Sequence, residues 1–552
     1  MARAHNPAKL KGLDGARAAR LVVVLGDQLD AEAALIQSLG PGDTVLMMEV
    51  SQESLHVPSH VQRTVLFLSA MRHFAAGLRG RGVAVRYVEL DDPANTGSFE
   101  GEIVRAVAEL RPVEVGCTQP GEYRVLTALE RACAASGVAL TVVPDGHFLT
   151  SQEEFAGWAK GRSALTMEYF YREQRRKTGY LMEGRGAGAK PVGGAWNFDK
   201  SNRLPFGKGG PSPRPRAPLR FELDGITRAV MSAVARVLPG LPGRVGSFGW
   251  PVTREQSLAA LEDFVTHRLA RFGPFEDAMW TGEPTLYHST LSSALNLKLL
   301  NPRECCERAI SAYAAGLAPL ASVEAFVRQL IGWREFIRGV YWLEGPSYAE
   351  RNGLDQHGAL PEFYWTGETD MACMKACVGQ VVETGFGHHI QRLMVTGNFA
   401  LISGVHPRAL SDWYLGMFVD GVDWVTLPNA LGMVMHADKR VGVGTGVGAG
   451  VTGLVGTKPY AASGKYIERM SNYCTGCRYD PGARAGPDAC PVTVFYWDFL
   501  IRNRERLGKN QRMAMMLKNV DGMTPEARTQ ITIDASALRG RLGIGRVEGA
   551  QR

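Results

Sequence analysis

The sequence predicts a two-part architecture, in which a doubly wound parallel α/β domain with a Rossmann-like sheet precedes a large all-α domain. In the first part, short apolar runs of strand length alternate with segments of helical periodicity, as in parallel α/β sheets. From about residue 226 onward the periodicity is helical, without strand alternation. The length of 552 residues exceeds what one hydrophobic core usually serves, so two or more domains are expected.

Changes in composition give the expected domain boundaries. Residues 1–20 are expected to form a flexible tail and 21–148 the α/β domain. Residues 149–225 are expected to be a connection that is first helical and then rich in Gly, Pro and Arg. The all-α domain is expected over 226–520, and a C-terminal tail over 521–552.

The α/β pattern predicts a candidate ligand site. The strands are predicted over Leu21–Leu25, Val45–Val50, Ala84–Leu90, Val113–Cys117 and Ala139–Val143. The helices between them are predicted over Val61–Arg79, Gly101–Leu110 and Tyr123–Ser136. Ligands bind such sheets at the carboxyl ends of the strands. Asp27 follows the first strand and Glu53 follows the second, so this edge of the sheet is where a ligand is expected.

The helical signals continue to the end of the chain. Thr150 and Ser151, with Glu153 and Glu154 three residues on, offer overlapping capping boxes for one helix. Further helices are predicted over Ser257–Arg271, Arg303–Ala315, Val323–Tyr341, Cys373–Val382, His388–Ser403 and Pro491–Arg506.

Composition and charge restrict the class of protein. Hydrophobic residues make up 45% of the chain and charged residues 21%, which excludes disorder of the whole chain. The sequence contains no run of 18 apolar residues, so no membrane span is predicted. The N-terminus lacks the apolar core of a signal peptide, and a cytoplasmic location is therefore expected. The net charge of +7 is compatible with a nucleic-acid or nucleotide partner and equally with a basic surface that has none. The absence of heptads favours a monomer without an obligate protein partner.

Three of the nine cysteines are grouped at metal-ligand spacing. Cys474 and Cys477 form a C-x2-C pair, and Cys490 follows. A tetrahedral set needs a fourth ligand, for which Cys373 and Cys377 are the candidates. Base rates favour zinc, whereas the Cys490-Pro491 sequence is typical of iron–sulfur proteins. Buried thiols without a metal are the structural alternative.

The helical half contains further residues that could take part in catalysis or electron transfer. Adjacent histidines, His388 and His389, could form a metal pair, act as acid–base groups or pack structurally. His389 and Arg392 share a helix face. The tryptophan-rich pattern is typical of a core but also of electron-transfer chains. The residues 442–456 contain a GxGxxG match, but no strand precedes it, so a flexible Gly/Val loop is predicted there instead of a phosphate site.

Many long motifs, in order, resemble one family. The sequence resembles the iron–sulfur bacterial cryptochromes and photolyases, also called prokaryotic (6–4) photolyases, over about residues 21–510. The motifs that carry this resemblance are LGDQL, SAMRHF, LTMEYFYREQRRKTG, GGAWNFD, IGWREFIRGVYW, FYWTG, GHHIQRLMVTGNFAL, WYLGMF, TKPYAASGKYI, YCTGCRYDP and YWDFL.

The resemblance implies three cofactors: FAD in the all-α domain, a 4Fe–4S cluster and a 6,7-dimethyl-8-ribityllumazine antenna in the α/β domain. It implies that Cys373, instead of Cys377, joins Cys474, Cys477 and Cys490 as a cluster ligand. Asp27, Met48 and Glu53 match the antenna site, with Met48 where several members have a small residue. The residues that match the FAD site are His288, Ser289, Leu291, Ser292, Asn296, Gln329, Trp333, Arg334, Arg392, Asp420, Thr426 and Asn429.

The resemblance also implies an activity, the blue-light-driven repair of UV-induced (6–4) photoproducts in DNA. His388 and His389 match the histidines that face the lesion, with His389 as the expected proton donor. Trp413 and Trp365, with Tyr414, match the electron-transfer aromatics. A basic surface for the damaged DNA is expected to include Arg172, Arg175, Arg176 and Lys177, for which a solvated helix face is the alternative.

Some positions depart from the family pattern. Thr426 stands where many members have a glutamate beside flavin N5, and Val422 replaces an aromatic residue. The Gly/Val loop is about a dozen residues longer than usual, and 58–63 is less basic. Thr426 and the long Gly/Val loop favour a second hypothesis, a flavin photoreceptor without repair activity. A third hypothesis is an iron–sulfur nucleic-acid protein without flavin, similar to the large subunit of primases.

Overall fold

The computed structural model describes residues 19–162, 164–184, 186–438 and 453–545. These residues form two compact units. The first consists of the described residues up to 53 together with 70–146, and the second consists of 54–69 together with the described residues from 147 onward. Most of the predicted Gly/Val loop, 441–452, lies outside the described residues.

A five-stranded sheet forms the first unit. Its strands all run parallel, in the order β3-β2-β1-β4-β5, which confirms the predicted parallel sheet. The strands are β1 Arg20–Val23, β2 Thr44–Met48, β3 Ala84–Val88, β4 Glu114–Thr118 and β5 Ala139–Val143. The central strands are almost continuously apolar because helices cover both faces of a parallel sheet. Leu21, Val23, Leu46 and Val115 are accordingly buried.

The helices of the first 146 residues follow the predicted alternation. Phe99–Leu110 begins at Ser98, whose hydroxyl accepts a hydrogen bond from Gly101 N at 3.1 Å, and so its first turn is capped. The helices in this part of the chain are Ala34–Gln37, Gln52–Leu55, Val61–Gly80, Phe99–Leu110 and Tyr123–Ala135.

The strand order reverses between β1 and β4, which is where ligands bind in such sheets. Gln28, buried just after β1, connects the carboxyl ends of these two strands. Its Nε2 donates to Thr118 O at 3.0 Å, and its Oε1 accepts from Leu25 N at 3.3 Å. The carboxyl ends of β1 and β4 are therefore linked by a buried side chain.

The predicted connection contains the helices Gln152–Ala159 and Met167–Thr178 and a short antiparallel ladder of β6 Met182–Glu183 and β7 Lys190–Pro191. Only one of the two predicted capping boxes forms, that of Ser151 and Glu154. Thr150 is excluded from a cap because its backbone N–H donates to the buried Glu335 carboxylate at 2.9 Å.

The second unit is almost entirely helical beyond these elements. Its remaining α-helices are Gly225–Val237, Arg254–His267, Leu269–Phe272, Ser292–Asn296, Pro302–Ala314, Leu320–Val327, Glu335–Glu344, Phe363–Thr366, Ala372–Thr384, Asn398–Ser403, Pro407–Met417, Asp423–Pro428, Gly464–Met470, Pro491–Arg502, Arg504–Leu507, Ala514–Asp521 and Pro525–Arg541. Short 3-10 turns cover Gly186–Gly188, Val192–Gly194, Asp199–Ser201, Pro346–Glu350 and Gln511–Met513.

Three segments of the described chain are π-helical: Arg328–Arg334, Gln391–Gly397 and Asn429–Val434. The helix predicted over Val323–Tyr341 is therefore two α-helices separated by a π-helical turn. A local change of hydrogen-bond pattern leaves no mark on apolar periodicity, which explains the difference. Such turns are often found at functional sites.

The C-terminal segment 521–552 differs from the expected tail. It contains the helix Pro525–Arg541, in which Thr524 caps the first turn and Ile531, Ala535 and Leu538 are buried. These three residues recur at i, i+4 and i+7, which places them on one helix face. None of the described helices is both long and apolar enough to cross a membrane.

Candidate functional site

The predicted histidine pair lies just after a sharp helix end. The helix Ala372–Thr384 ends at Gly385, whose φ of +64° is a left-handed conformation that glycine adopts readily. The loop Gly385–Gly387 then leads to His388, and the next helix begins at His389. The glycine termination thereby places both histidines at a helix start.

His388 stacks on His288. Their ring centroids are 4.3 Å apart, with an interplanar angle of 12°. His288 Nε2 and both ring nitrogens of His388 are buried without a hydrogen-bond partner in the described part of the chain. Burial, then the neighbouring positive charges, lowers the pKa of His288 to about 3 and that of His388 well below its ordinary value. Both rings are therefore neutral near pH 7 and retain free polar atoms for a ligand.

His389 has a different environment. Its side chain is exposed, yet the surrounding protein desolvates it and lowers its pKa. The charge of Asp277 opposes this shift and favours the protonated ring, and in turn burial raises the pKa of Asp277.

Acidic residues that the sequence did not indicate surround this position. Burial raises the pKa of Glu276 to about 8. Arg328 ion-pairs with Asp199, and its Nη2 lies 4.0 Å from Glu276 Oε1. Asp277 belongs to no sequence motif, and thus only the fold reveals that it interacts with His389.

Arg392 and Asp420 form the predicted ion pair. Nη1 and Nη2 of Arg392 each lie 3.0 Å from a different carboxylate oxygen of Asp420. Arg392 Nε also donates to Gly387 O at 2.6 Å, and Asn296 Nδ2 donates to Asp420 O at 2.9 Å. The predicted residues Arg392, Asp420 and Asn296 are therefore in direct contact, with the guanidinium held in a fixed fork.

The segment from His288 to Asn296 contributes further polar groups. The hydroxyl of Ser293, which the sequence did not single out, is buried without a hydrogen-bond partner among the described residues. Ser289 and Ser292 are half-buried and Leu291 is buried. These groups can bind a polar ligand that enters beside Asn296.

The first π-helical turn carries Gln329, Trp333 and Arg334. Gln329 and Trp333 are half-buried. Arg334 Nη2 lies 3.1 Å from His147 Nδ1, and the guanidinium lies over the ring of Phe148, 4.2 Å from its centroid. Arg334 is thus held by protein groups, whereas Gln329 and Trp333 keep accessible surface.

Thr426 and Asn429 both bond their own helix. The Thr426 hydroxyl donates to Val422 O at 3.2 Å, and Asn429 Nδ2 donates to Val425 O at 2.8 Å. The buried Thr426 oxygen therefore has its hydrogen engaged by the backbone. It has no proton to exchange near neutral pH.

Trp413 is the centre of an aromatic cluster. It is fully buried, donates from Nε1 to Tyr364 O at 2.9 Å and packs against Tyr414 at a centroid distance of 5.3 Å. The Tyr414 hydroxyl donates to Arg392 O at 2.7 Å. Trp365, which follows Tyr364 in the chain, is half-buried.

The predicted cysteine set also comes together. Cys373 interacts electrostatically with Cys490, Cys377, Cys474 and Cys477. Burial, then the proximity of the other thiols, raises the pKa of Cys474 to about 12. The Cys377 thiol also bonds Tyr473 and Gln391. No group of three or more His, Cys, Asp or Glu side chains in the described chain is arranged to hold a metal ion.

In the first unit, Asp27 follows β1, Met48 ends β2 and Glu53 lies beyond β2. Asp27 is half-buried and Met48 is buried. Both oxygens of Glu53 accept hydrogen bonds from Arg124, at 2.7 and 2.9 Å. Arg124 is a neighbour that the sequence did not indicate.

The basic segment of Met167–Thr178 differs from the expected DNA surface. Arg175 is fully buried and donates to the carbonyls of Leu181 and Trp196. Lys177 donates to Leu149 O at 2.8 Å and pairs with Glu154. These two residues support the fold, while Arg176 lies over Trp196 at 4.8 Å.

Comparison with known proteins identifies the family. The family model for the deoxyribodipyrimidine photo-lyase-related protein matches residues 22–250. A (6-4) photolyase from Agrobacterium fabrum is 45% identical over 527 residues, which cover 95% of this chain and 99% of that protein. The chain belongs to the (6-4) photolyase family. This family implies FAD as a cofactor.

Solved structures agree on the fold. A bacterial class III photolyase from Agrobacterium tumefaciens has a TM-score of 0.53 at 14% identity, covering 97% of this chain and 98% of its own. A cryptochrome from Synechocystis has a TM-score of 0.52 at 14% identity, covering 95% and 99%. This chain therefore has the photolyase/cryptochrome fold.

Proposed function

We propose that this protein repairs (6–4) photoproducts in DNA under blue light. The observation that carries the proposal is its near-full-length similarity to a (6-4) photolyase. The structure is compatible with it, because Asp277 and Arg392 interact electrostatically with His389, and Arg392 pairs with Asp420.

The residues present fit an FAD molecule. His288 Nε2 and Ser293 Oγ are buried polar atoms without partners in the described chain, and a polar ligand would satisfy them. We infer that the segment 288–296, Gln329, Trp333 and Asn429 hold it. Bound and reduced, FAD supplies on illumination the electron that opens the lesion.

The positively charged guanidinium of Arg392 has a fixed position. Its fork to Asp420 and its bond to Gly387 O leave little rotamer freedom, so the charge needs no rearrangement when an anionic ligand binds. We infer that this pair orients the cofactor. Thr426 contributes packing there, because its hydrogen is already donated to Val422 O.

His389 is the proposed proton donor. Repair returns a hydroxyl or amino group to its parent base, and a positioned acid lowers the cost of that transfer. Asp277 favours the charged imidazole of His389, whereas His388 is buried and held neutral. His388 is therefore proposed to hydrogen-bond the lesion without delivering a proton near neutral pH.

Trp413, Tyr414 and Trp365 are proposed to carry electrons to the cofactor. The support is that Trp413 is buried and contacts both Tyr414 and Tyr364, the neighbour of half-buried Trp365. Aromatic contacts thus connect Trp413 with Tyr364, and Trp365 follows Tyr364 in the chain.

We infer that Cys373, Cys474, Cys477 and Cys490 hold a 4Fe–4S cluster. The four thiols interact with one another, which would be unfavourable for free thiolates and is relieved by iron. The Cys490-Pro491 sequence, which is typical of iron–sulfur proteins, favours a cluster over zinc. The cluster would tie the helix Ala372–Thr384 to the C-terminal part.

In the first unit, Asp27, Met48 and Glu53 are proposed to bind a lumazine antenna. The crevice at the carboxyl ends of β1 and β4 is the expected ligand position of such a sheet. The Arg124–Glu53 pair would provide a fixed polar wall.

Damaged DNA is the proposed partner. Its target bases cannot react while stacked, so they must be flipped out of the duplex toward His389. Arg203, whose side chain is 67% exposed and lies 4.0 Å from Asp277, is a candidate phosphate contact near His389.

The test is repair of an oligonucleotide that contains a single (6–4) photoproduct, with reduced protein, in blue light and in darkness. Light-dependent recovery of the intact bases is expected, and His389→Ala should abolish most of it. No recovery from protein that contains FAD would overturn the proposal and favour the photoreceptor hypothesis, for which the engaged Thr426 hydroxyl is the motivating observation.

A further inference from the structure

Two glutamines, the buried Gln391 and the half-buried Gln380, join the histidine pair to the cysteine region. Gln391 Nε2 donates to Gln380 Oε1 at 3.0 Å, and Gln380 Nε2 donates back to Gln391 Oε1 at 3.1 Å. Gln391 is only 3% exposed. Since each amide supplies one donor and one acceptor, the reciprocal pair fixes both side chains in a single orientation.

On one side, the pair binds the backbone around the stacked histidines. His388 N donates to Gln391 Oε1 at 3.0 Å, which satisfies a free N–H group at the helix start. Gln380 Nε2 lies 3.1 Å from both Phe386 O and Pro284 O. The loop before His388 and the segment that leads to His288 are thereby held by the same amide.

On the other side, the pair contacts the cysteine region. Gln391 Nε2 donates to the Tyr473 hydroxyl at 3.2 Å, and this hydroxyl also bonds the Cys377 thiol. Tyr473 directly precedes Cys474. Cys373, Cys377 and Gln380 recur at i, i+4 and i+7 of the helix Ala372–Thr384, so they share one helix face.

We propose that Gln391 and Gln380 are positioning residues for His388 and His389, and that Tyr473 makes this positioning depend on the fold of the cysteine region. The proposal rests on the proposed function. Gln391 contacts His388 only through the backbone N–H and therefore acts on the orientation of the histidines and not on their chemistry.

The experiment compares Gln391→Met with a matched control, Gln356→Met. Gln356 is equally buried, at 3% exposure, and donates to Leu401 O at 2.8 Å, outside this network. FAD and iron content, KM for lesion DNA and the repair rate at saturating DNA are measured. Gln391→Met should keep FAD, iron and KM but lower the rate by at least about tenfold, since small misplacements of catalytic groups cost this much.

Gln356→Met should lower thermal stability without changing the rate per bound FAD. Tyr473→Phe, which removes one hydroxyl, should retain iron and give an intermediate rate. An unchanged rate in Gln391→Met, or equal losses in the two glutamine variants, would overturn the proposal.

A second readout does not depend on repair. Imidazole nitrogen NMR of histidine-labelled protein in darkness should show shifted His388 and His389 resonances in Gln391→Met and unshifted ones in Gln356→Met. If the parent protein does not repair DNA, the proposed function fails, while these resonances still decide the positioning proposal. Unshifted resonances in Gln391→Met would refute it.

Discussion

His288 and His388 stack face to face, 4.3 Å apart, with three of their ring nitrogens unpartnered within the described residues. Two imidazolium rings at this distance would repel, so at most one of them can be charged. The stack therefore combines two neutral hydrogen-bonding groups in the space that a ligand must share.

A pH effect on stability follows from this stack. The pKa of His288 is about 3 in the folded protein and about 6.5 in the unfolded chain. The unfolded chain therefore binds the extra proton first, and the free energy of unfolding falls by up to about 1.4 kcal/mol per pH unit as the pH drops below about 6.5. His288→Phe should show a flatter decrease of melting temperature between about pH 7 and pH 5. His357→Phe, near the surface, is the control, and a slope equal to that of the parent in both variants would contradict the assignment.

Asp277 should control the pH profile of repair. The carboxylate favours protonated His389, so Asp277→Asn lowers the pKa of His389 further. Fewer molecules then carry the donor proton, and the repair rate should fall several-fold near pH 7 and less at lower pH. The rate is measured against pH at saturating lesion DNA. Asp521→Asn, on an exposed helix end, is the control, and a profile of Asp277→Asn that overlies the parent would refute this role.

The Arg392–Asp420 pair should be required for FAD retention. Asp420→Asn leaves a largely buried guanidinium without its counter-charge, a change that typically costs about 3–5 kcal/mol. At least half of the FAD should be lost on desalting, measured by flavin absorbance per protein. Arg392→Lys keeps the charge without the fork and should retain more. Full FAD content in Asp420→Asn would show that the pair does not hold the cofactor.

The cysteines at 373 and 377 should behave differently although one helical turn separates them. Cys373→Ser should lose iron, because its thiol interacts with all three downstream thiols. Cys377→Ser should keep iron, because its thiol bonds Tyr473 and Gln391. Iron and sulfide are measured per protein. The reverse pattern would make Cys377 the ligand, and zinc in place of iron would exclude a cluster.

Local signals in the sequence predict much of the fold. The strand at Ala139–Val143 has the expected bounds although it is a partly exposed edge strand, because a short β-branched and apolar run between turn residues indicates a strand. The helix over Val323–Tyr341 was predicted as continuous, since a π-helical turn does not disturb apolar spacing. The helix Pro525–Arg541 was not predicted, because only three of its residues are buried and the apolar pattern that they form is weak.

Less of the candidate site than of the fold could be predicted from the sequence. Arg392 and Asp420 were found through motifs, and the structure brings them into contact. Asp277, Gln391 and Arg124 have no motif, since their roles arise from contacts between distant segments. Arg175 was placed on a DNA surface because composition does not distinguish an exposed arginine from one that bonds buried carbonyls.

The π-helical turns at Arg328–Arg334, Gln391–Gly397 and Asn429–Val434 contain residues of the proposed FAD site. Each such turn accommodates one more residue than an α-helical turn, and each residue advances a helix by about 100°. Removing a single residue from one of these turns would leave the number of residues that a regular α-helix needs, so the flanking helices would keep their register while the side chains within the turn would be redistributed around the helix axis. Single-residue deletions here should therefore disturb the proposed FAD site more than they disturb the helices on either side of it.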